Sequence, residues 1–510
     1  MTHRGPARLA ATILAVLTLG TAGIVLARGL AGPEGGGVTA ADLAAIRFTV
    51  MQAGLSALLS AVLAVPLARA LARRRFPGRA ALIAALGAPF LVPTITAVLA
   101  LIAVFGRSGW LAHLTGWEVS PYGLQGVLLA HVFLNLPLCT RMLLNGWAAI
   151  PAERWRLAES LGLPPGALLR HLEAPMLRAT LPGAALAVFS ICLSSFAVAL
   201  VLGGGPRAST VELSIYQALR YDFDLARAAR LSAVQFALTT AALALTLRLT
   251  LPTAFGAGRG LVLAIPAPGG WRAAVDGVVI LAAALFLLAP LAALTAAGLP
   301  AVPDLPAQVW PAAVRSVLIA LGSAVLALML ALPLALAAAR GARWAELSGT
   351  LPLAASALVM GTGLFLMLRP ALSPGVLALP VTLLVNASLA TPFAFRILAP
   401  PARILQADYG QLAASLGLEG RAALRLLILP RLARPLGFAA GLTAALSMGD
   451  LSVIALFAVD DAATLPLLVS RLAGSYRSDA AAAAALLLVA LAFALYLILD
   501  RSIARHDPDT

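Results

Sequence analysis

LPLCTRMLLNGWAAIPAERWRLAESLGL, residues 136–163, returns at 391–418 as TPFAFRILAPPARILQADYGQLAASLGL. Pro137 answers to Pro392, Arg141 to Arg396, Glu153 to Asp408, and LAESLGL to LAASLGL. At the same offset Pro175 pairs with Pro430, so the spacing from Gly162 to Pro175 equals that from Gly417 to Pro430. Ala/Leu-rich apolar segments look alike by composition alone, but a matched polar stretch does not arise that way. It marks a duplication of the chain. A second pair agrees: SALLSAVLAVPLARALARR (56–74) aligns with SAVLALMLALPLALAAARG (323–341), each reaching a proline, Pro66 or Pro333, before an arginine-containing end.

The matched stretches lie among long apolar runs. The 510 residues are 61% hydrophobic and 11% charged, with a mean hydropathy of +0.97. A soluble domain carries roughly 25% charged residues. The polar side chains here are too few to cover a soluble surface, so lipid must solvate most of the exterior. A membrane-spanning helix needs about 20 mostly apolar residues, and about twelve such stretches are present. They fall near 9–28, 46–70, 80–105, 122–147, 181–202, 228–250, 273–298, 312–338, 345–368, 376–398, 435–458 and 480–499. The expected fold is an all-α membrane protein in two tandem homologous halves. The division is 1–45 as an N-terminal anchor helix and outer loop, and 46–251 as the first transmembrane domain. Residues 252–311 form a linker with one transmembrane helix, and 312–510 the second transmembrane domain.

The first run follows Arg4 and Arg8, as a signal peptide would, but it exceeds the roughly 7–15 apolar residues of a signal core. It reads as a retained anchor. Arginines gather in alternate connections, at Arg69, Arg73, Arg74, Arg75 and Arg79, at Arg340 and Arg343, and at Arg501 and Arg505. The positive-inside rule then places both termini and both matched loops in the cytoplasm. Repeats six spans apart share one orientation, so the halves are parallel and related by an axis along the membrane normal.

The net charge of +15 comes from 36 basic residues, all of them arginine. No basic run carries interleaved aromatic residues, so no nucleic-acid partner is expected. Cys139 and Cys192 sit singly in apolar stretches and read as small core residues. His131, inside a span, reads as a packed or hydrogen-bonded histidine rather than a metal ligand. No catalytic or metal-binding residue is expected.

Each matched loop offers a helix-compatible stretch, a glycine that permits a turn, an amphipathic stretch and a proline. A short helix held at the membrane by flanking spans is a lever, and two related levers suit a partner with twofold symmetry. Here the sequence resembles a family. RLAESLG (156–162), followed by Leu172, Ala174 and Pro175, is similar to the "EAA" loop of binding-protein-dependent ABC importer permeases. So is QLAASLG (411–417), followed by Leu427, Leu429 and Pro430. The leading glutamate of that pattern is Arg156 in one copy and Gln411 in the other, so a glutamate contact does not carry over.

The resemblance implies that each loop holds a coupling helix docking into a cytoplasmic ABC ATPase, with two similar loops favouring a homodimer. The implied coupling residues are Ala158, Ser160, Leu161, Gly162, Leu163 and Pro175, and Ala413, Ser415, Leu416, Gly417, Leu418 and Pro430. It also implies a periplasmic substrate-binding protein on the outer face, where Tyr216, Tyr221, Tyr476 and Arg477 are candidate contacts or interfacial anchors. A phosphate-binding GxxxxGK[ST] loop needs a lysine, and the chain has none. ATP and Mg therefore belong to the partner ATPase, and this chain is expected to bind no cofactor. The glycine triplets at 35–37 and 203–205 read as loop glycines.

Three stretches, 196–229, 448–457 and 465–481, resemble thiamine/thiamine pyrophosphate importer permeases closely. The implied function is import of thiamine and its phosphates across the bacterial inner membrane. Ferric-iron importer permeases share the fused two-loop plan and remain the alternative. A secondary transporter would call for ionisable residues in several spans, and a membrane-embedded enzyme for a catalytic motif at a span end. Neither pattern is present. Asp450 lies deep in a span, where a charge costs about 2.5–3.5 kcal/mol. It either lines the path of a cationic solute, opposite its repeat counterpart Ser195, or packs with polar neighbours such as Ser447 and Ser452.

Overall fold

The computed structural model describes residues 4–30, 37–87, 91–116, 120–205, 208–249, 269–368, 373–457 and 462–504. Gly35, Gly36, Arg505 and positions 252–268 of the expected linker lie outside them. In chain order the principal helices of the first half are α1 (Gly5–Gly29), α2 (Ala40–Arg73), α3 (Arg79–Ala85), α4 (Thr94–Phe105), α5 (Leu124–Ala148), α6 (Ala152–Ser160), α7 (Ala174–Leu193), α8 (Phe196–Leu202), α9 (Val211–Arg220) and α10 (Leu225–Leu249). The second half supplies α11 (Trp271–Gly298), α12 (Val309–Ala339), α13 (Arg343–Thr350), α14 (Ala357–Leu368), α15 (Pro374–Ser415), α16 (Ala433–Met448), α17 (Ser452–Phe457), α18 (Leu465–Gly474) and α19 (Ser478–Ala504). Among the described residues, 11 helices are long and apolar enough to cross a membrane, or 12 if one bent pair counts as a span.

The duplication in sequence is a duplication in packing. In the first half α2 packs on α5 and α7, which also touch each other, and in the second half α12 packs in the same way on α15 and α16. Small side chains permit the close approach. Ala53, Ser56, Ala57, Ser60, Ala61 and Ala64 form the buried stripe of α2, the helix-packing device of membrane proteins. Val278, Leu281, Leu285 and Leu288 form an exposed apolar stripe on α11, a surface suited to lipid. The helix preceding each half crosses over. α1 packs on α12, α14 and α10, while α11 packs on α2, α4 and α19. The span expected as a linker is thus the counterpart of the N-terminal helix. Ala10 and Leu14 of α1, Ile428 of the second loop and Ile503 near the end of α19 share one core cluster, so the first half of α1 and the end of α19 lie on the side of that loop.

Four of the apolar runs are broken rather than continuous. The run 345–368 bends by 89° between α13 and α14. Pro352 ends the first piece in a 3-10 turn, and the Ser356 hydroxyl accepts the Val359 amide at 3.2 Å to start the next. The run 181–202 stops at Leu193 and restarts at Phe196, and 435–458 stops at Met448 and restarts at Ser452. The run 80–105 is divided between α3 and α4.

Candidate functional site

Both loops close in the same way. α6 ends at Ser160, and Gly162 follows with φ +59°. The Gly162 amide donates to the Glu159 carbonyl at 3.0 Å, and the Leu163 amide to the Ala158 carbonyl at 3.0 Å. In the second loop Gly417 has φ +63°, its amide donates to Ala414 at 3.1 Å, and the Leu418 amide to Ala413 at 2.9 Å. This paired closure satisfies helix-end carbonyls through a left-handed residue. A side chain in that conformation costs roughly 1–2 kcal/mol, which is why glycine stands at both turns.

The remaining loop candidates divide by what they face. The Ser160 and Ser415 hydroxyls donate to the Leu157 and Leu412 carbonyls at 2.8 and 2.9 Å, so both serines serve their own helix ends. Ala158 is 3% exposed and shares the inward face of α6 with Trp155, while Ala413 is half-buried. Leu163 and Leu418 are half-buried as well. Leu161 and Leu416 stand out at 64% and 65% exposure, with Leu157 and Leu412 beside them. The outward apolar face is therefore built from leucines, two of which the sequence motif did not single out. Pro175 and Pro430 follow a π-turn present in both copies, Leu169–Glu173 and Leu424–Ile428. Such turns recur at functional positions.

The loops differ in attachment. Pro151 separates α6 from α5, whereas its counterpart Gln406 keeps an amide and α15 runs unbroken for 42 residues through the loop to Ser415. Glu173 is fully buried. Its carboxylate accepts from Arg69 Nε at 2.8 Å and Arg73 Nη2 at 2.6 Å, pinning the first loop to the end of α2. The second loop has Ile428 at the equivalent position, buried in the cluster that contains Leu334 and Leu336 of α12. Arg403 pairs with Glu346 at the surface.

The path candidates Ser195 and Asp450 occupy equivalent helix breaks. Ser195 Oγ bonds His131 Nε2 at 2.6 Å, and His131 Nδ1 bonds Ser56 Oγ at 3.0 Å. With both ring nitrogens engaged, His131 ties α2 and α5 to the break and is not placed to ligate a metal. Its repeat counterpart Asn386 donates to Ser447 Oγ at 3.1 Å. Carbonyls freed by the first break are taken up by side-chain amides, Cys192 by Gln52 at 2.9 Å and Leu193 by Gln235 at 2.9 Å. Broken helices persist in a membrane where neighbours satisfy the freed backbone in this way. Asp450 accepts the amides of Ser452 at 3.2 Å and Val453 at 3.4 Å and so caps α17. Cys139 and Cys192 are buried core residues.

Tyr216 packs edge-on against Phe196 at 5.2 Å and against Tyr221 at 5.8 Å. Phe223 and Tyr476 are exposed with φ of +53° and +59°, each just beyond one of the related helices α9 and α18. Non-glycine residues held in this region are strained, and such strain concentrates at functional sites.

Two repeated helical halves, each carrying an outward loop helix and a broken span, define a polytopic membrane permease. No family model matches the chain. Thiamine transport system permease protein ThiP of Escherichia coli is 41% identical over 485 residues, covering 90% of this chain and 89% of the relative. ThiP of Salmonella typhimurium is 39% identical over 485 residues, with the same coverage. ThiP of Brucella abortus is 40% identical over 517 residues, covering 96% and 94%. The chain belongs to the thiamine transport system permease family.

Proposed function

We propose that this chain is the membrane-spanning subunit of an ATP-driven importer that moves thiamine, free or as its phosphates, from periplasm to cytoplasm. The observation that carries the reading is the pair of glycine-closed loop helices presenting Leu157 with Leu161 and Leu412 with Leu416 outward on one side of two related halves. The relatives' name supports the solute. The arginine-rich connections support a cytoplasmic position for these loops and for both termini at the bacterial inner membrane. A cytoplasmic ATPase dimer grips the two loop helices, and ATP and Mg are bound there. The segments 46–251 and 312–510 act as the two moving halves, with the helices of 1–45 and 252–311 crossing between them. ATP binding draws the loops together, the halves rock about their common axis, and the path past Ser195 and Asp450 opens outward to a periplasmic binding protein. Tyr221, Phe223, Tyr476 and Arg477 form its landing surface.

A Leu161→Glu, Leu416→Glu double variant tests the reading. It is expected to reach the membrane at the wild-type level yet to lose co-purification with the ATPase and thiamine uptake. Undiminished co-purification refutes the assignment of these loops.

A further inference from the structure

The broken spans bring together a group of buried polar side chains around Glu212, which has no role in the loops. Glu212, in the first turn of α9, is 1% exposed. Its carboxyl lies beside the Ser356 hydroxyl, which starts α14, and the Gln235 amide of α10. α9 packs against α17, the helix that Asp450 caps, and the Asp450 charge acts on the Glu212 carboxyl. Gln235 Nε2 is committed to the Leu193 carbonyl at 2.9 Å. Among the described residues, Glu212 Oε1 and Gln235 Oε1 have no hydrogen-bond partner, and neither Glu212 nor Asp450 forms an ion pair. Tyr216 follows Glu212 by one helical turn on the same face. It packs against Phe196, the first residue after the break at Ser195, at 5.2 Å.

A buried carboxyl with a bare acceptor oxygen and no basic partner is costly to keep. The cost is offset when a cation arrives. Transporters set their solute sites where helices are discontinuous, and Asp450 and Phe196 stand at the breaks of the two halves. We propose that Glu212 and Asp450 form the cation-binding position of the solute path, with Tyr216 and Phe196 as its aromatic wall and an organic cation as its ligand. A quaternary ring nitrogen has no N–H to donate, so it is recognised by charge and by aromatic faces rather than by directed hydrogen bonds. Glu212 has Pro466 as its repeat counterpart, so the position is single, as a path carrying one solute per cycle requires. The inference rests on the importer reading above.

The test uses the complete importer, this chain with its ATPase and a thiamine-loaded binding protein, in proteoliposomes. Thiamine uptake and ATP hydrolysis are read for the wild type, Glu212→Gln and Glu212→Asp. Loss of one charge-assisted contact predicts uptake reduced about tenfold or more in Glu212→Gln. Hydrolysis stimulated by the loaded binding protein is retained, and Glu212→Asp, which keeps the charge, retains more uptake than Glu212→Gln. If Glu212→Gln fails to assemble with the ATPase, Asp450→Asn is read by the same criteria. Wild-type uptake together with undiminished uptake in Glu212→Gln overturns the site and leaves the importer reading intact. Parallel loss of uptake and hydrolysis in an assembled variant makes Glu212 a structural residue and also overturns the site. A wild-type complex that imports no thiamine overturns the importer reading and the site with it.

Discussion

Replacing Glu173 by alanine removes the acceptor that holds two arginines at the foot of the first loop. Arg73 is almost wholly buried and Arg69 partly so, and both donate to this one carboxylate at 2.6 and 2.8 Å. Without it Arg73 is left as an unpaired buried charge, a change that costs about 3–5 kcal/mol. The protein contains its own reference state, because the second half fills the equivalent position with Ile428 packed near Leu334 and Leu336. A triple variant, Arg69→Leu, Arg73→Leu and Glu173→Ile, imitates that apolar solution. The account predicts that it recovers most of the stability lost by Glu173→Ala, since a well-packed apolar group can replace a buried ion pair at little or no cost. The assay is equilibrium unfolding in mixed micelles, with tryptophan fluorescence following Trp147 and Trp155, both buried in the same core cluster. An unchanged midpoint for Glu173→Ala, or a triple variant weaker than the single one, would refute the reasoning.

Other expectations concern the loops and the outer face. Gly162→Ala and Gly417→Ala each place a Cβ in open space but at positive φ. The penalty is therefore conformational, roughly 1–2 kcal/mol. ATPase docking measured by titration is expected to weaken about five- to thirtyfold. Gly166→Ala, also in open space but without positive φ, is expected to bind as wild type; equal affinities for all three would contradict the turn argument. Tyr476 is 96% exposed and held at φ +59°. Tyr476→Gly should leave unfolding unchanged or slightly improved while lowering hydrolysis stimulated by the loaded binding protein, and full stimulation would remove this residue from the landing surface.

The spans and the duplication were legible because each needs only a long apolar run or a matched string. The breaks were not, because Ser194–Ser195 and Gly449–Asp450 are two polar or flexible residues inside runs whose average hydropathy stays high. The glycine-to-proline spacing located the loops but not their helical phase. Trp155, three residues before Ala158, could have shown that Ala158 points inward and that Leu157 and Leu161 point out. Glu173 and Ile428 were visible as an unmatched pair in the repeat. Their meaning depends on Arg69 and Arg73, about a hundred residues away in the chain, which only packing brings near. Glu212 sits in a stretch that reads as an outer connection, and nothing in its neighbours marks it as buried.

The central claim is tested most directly by uptake of radiolabelled thiamine at nanomolar external concentration in cells with and without this chain, with ferric iron measured in parallel. The account predicts that thiamine uptake is lost without the chain and that iron uptake is unaffected. Loss of iron uptake with thiamine uptake intact would contradict the assigned solute, and no change in either would contradict the proposed importer function.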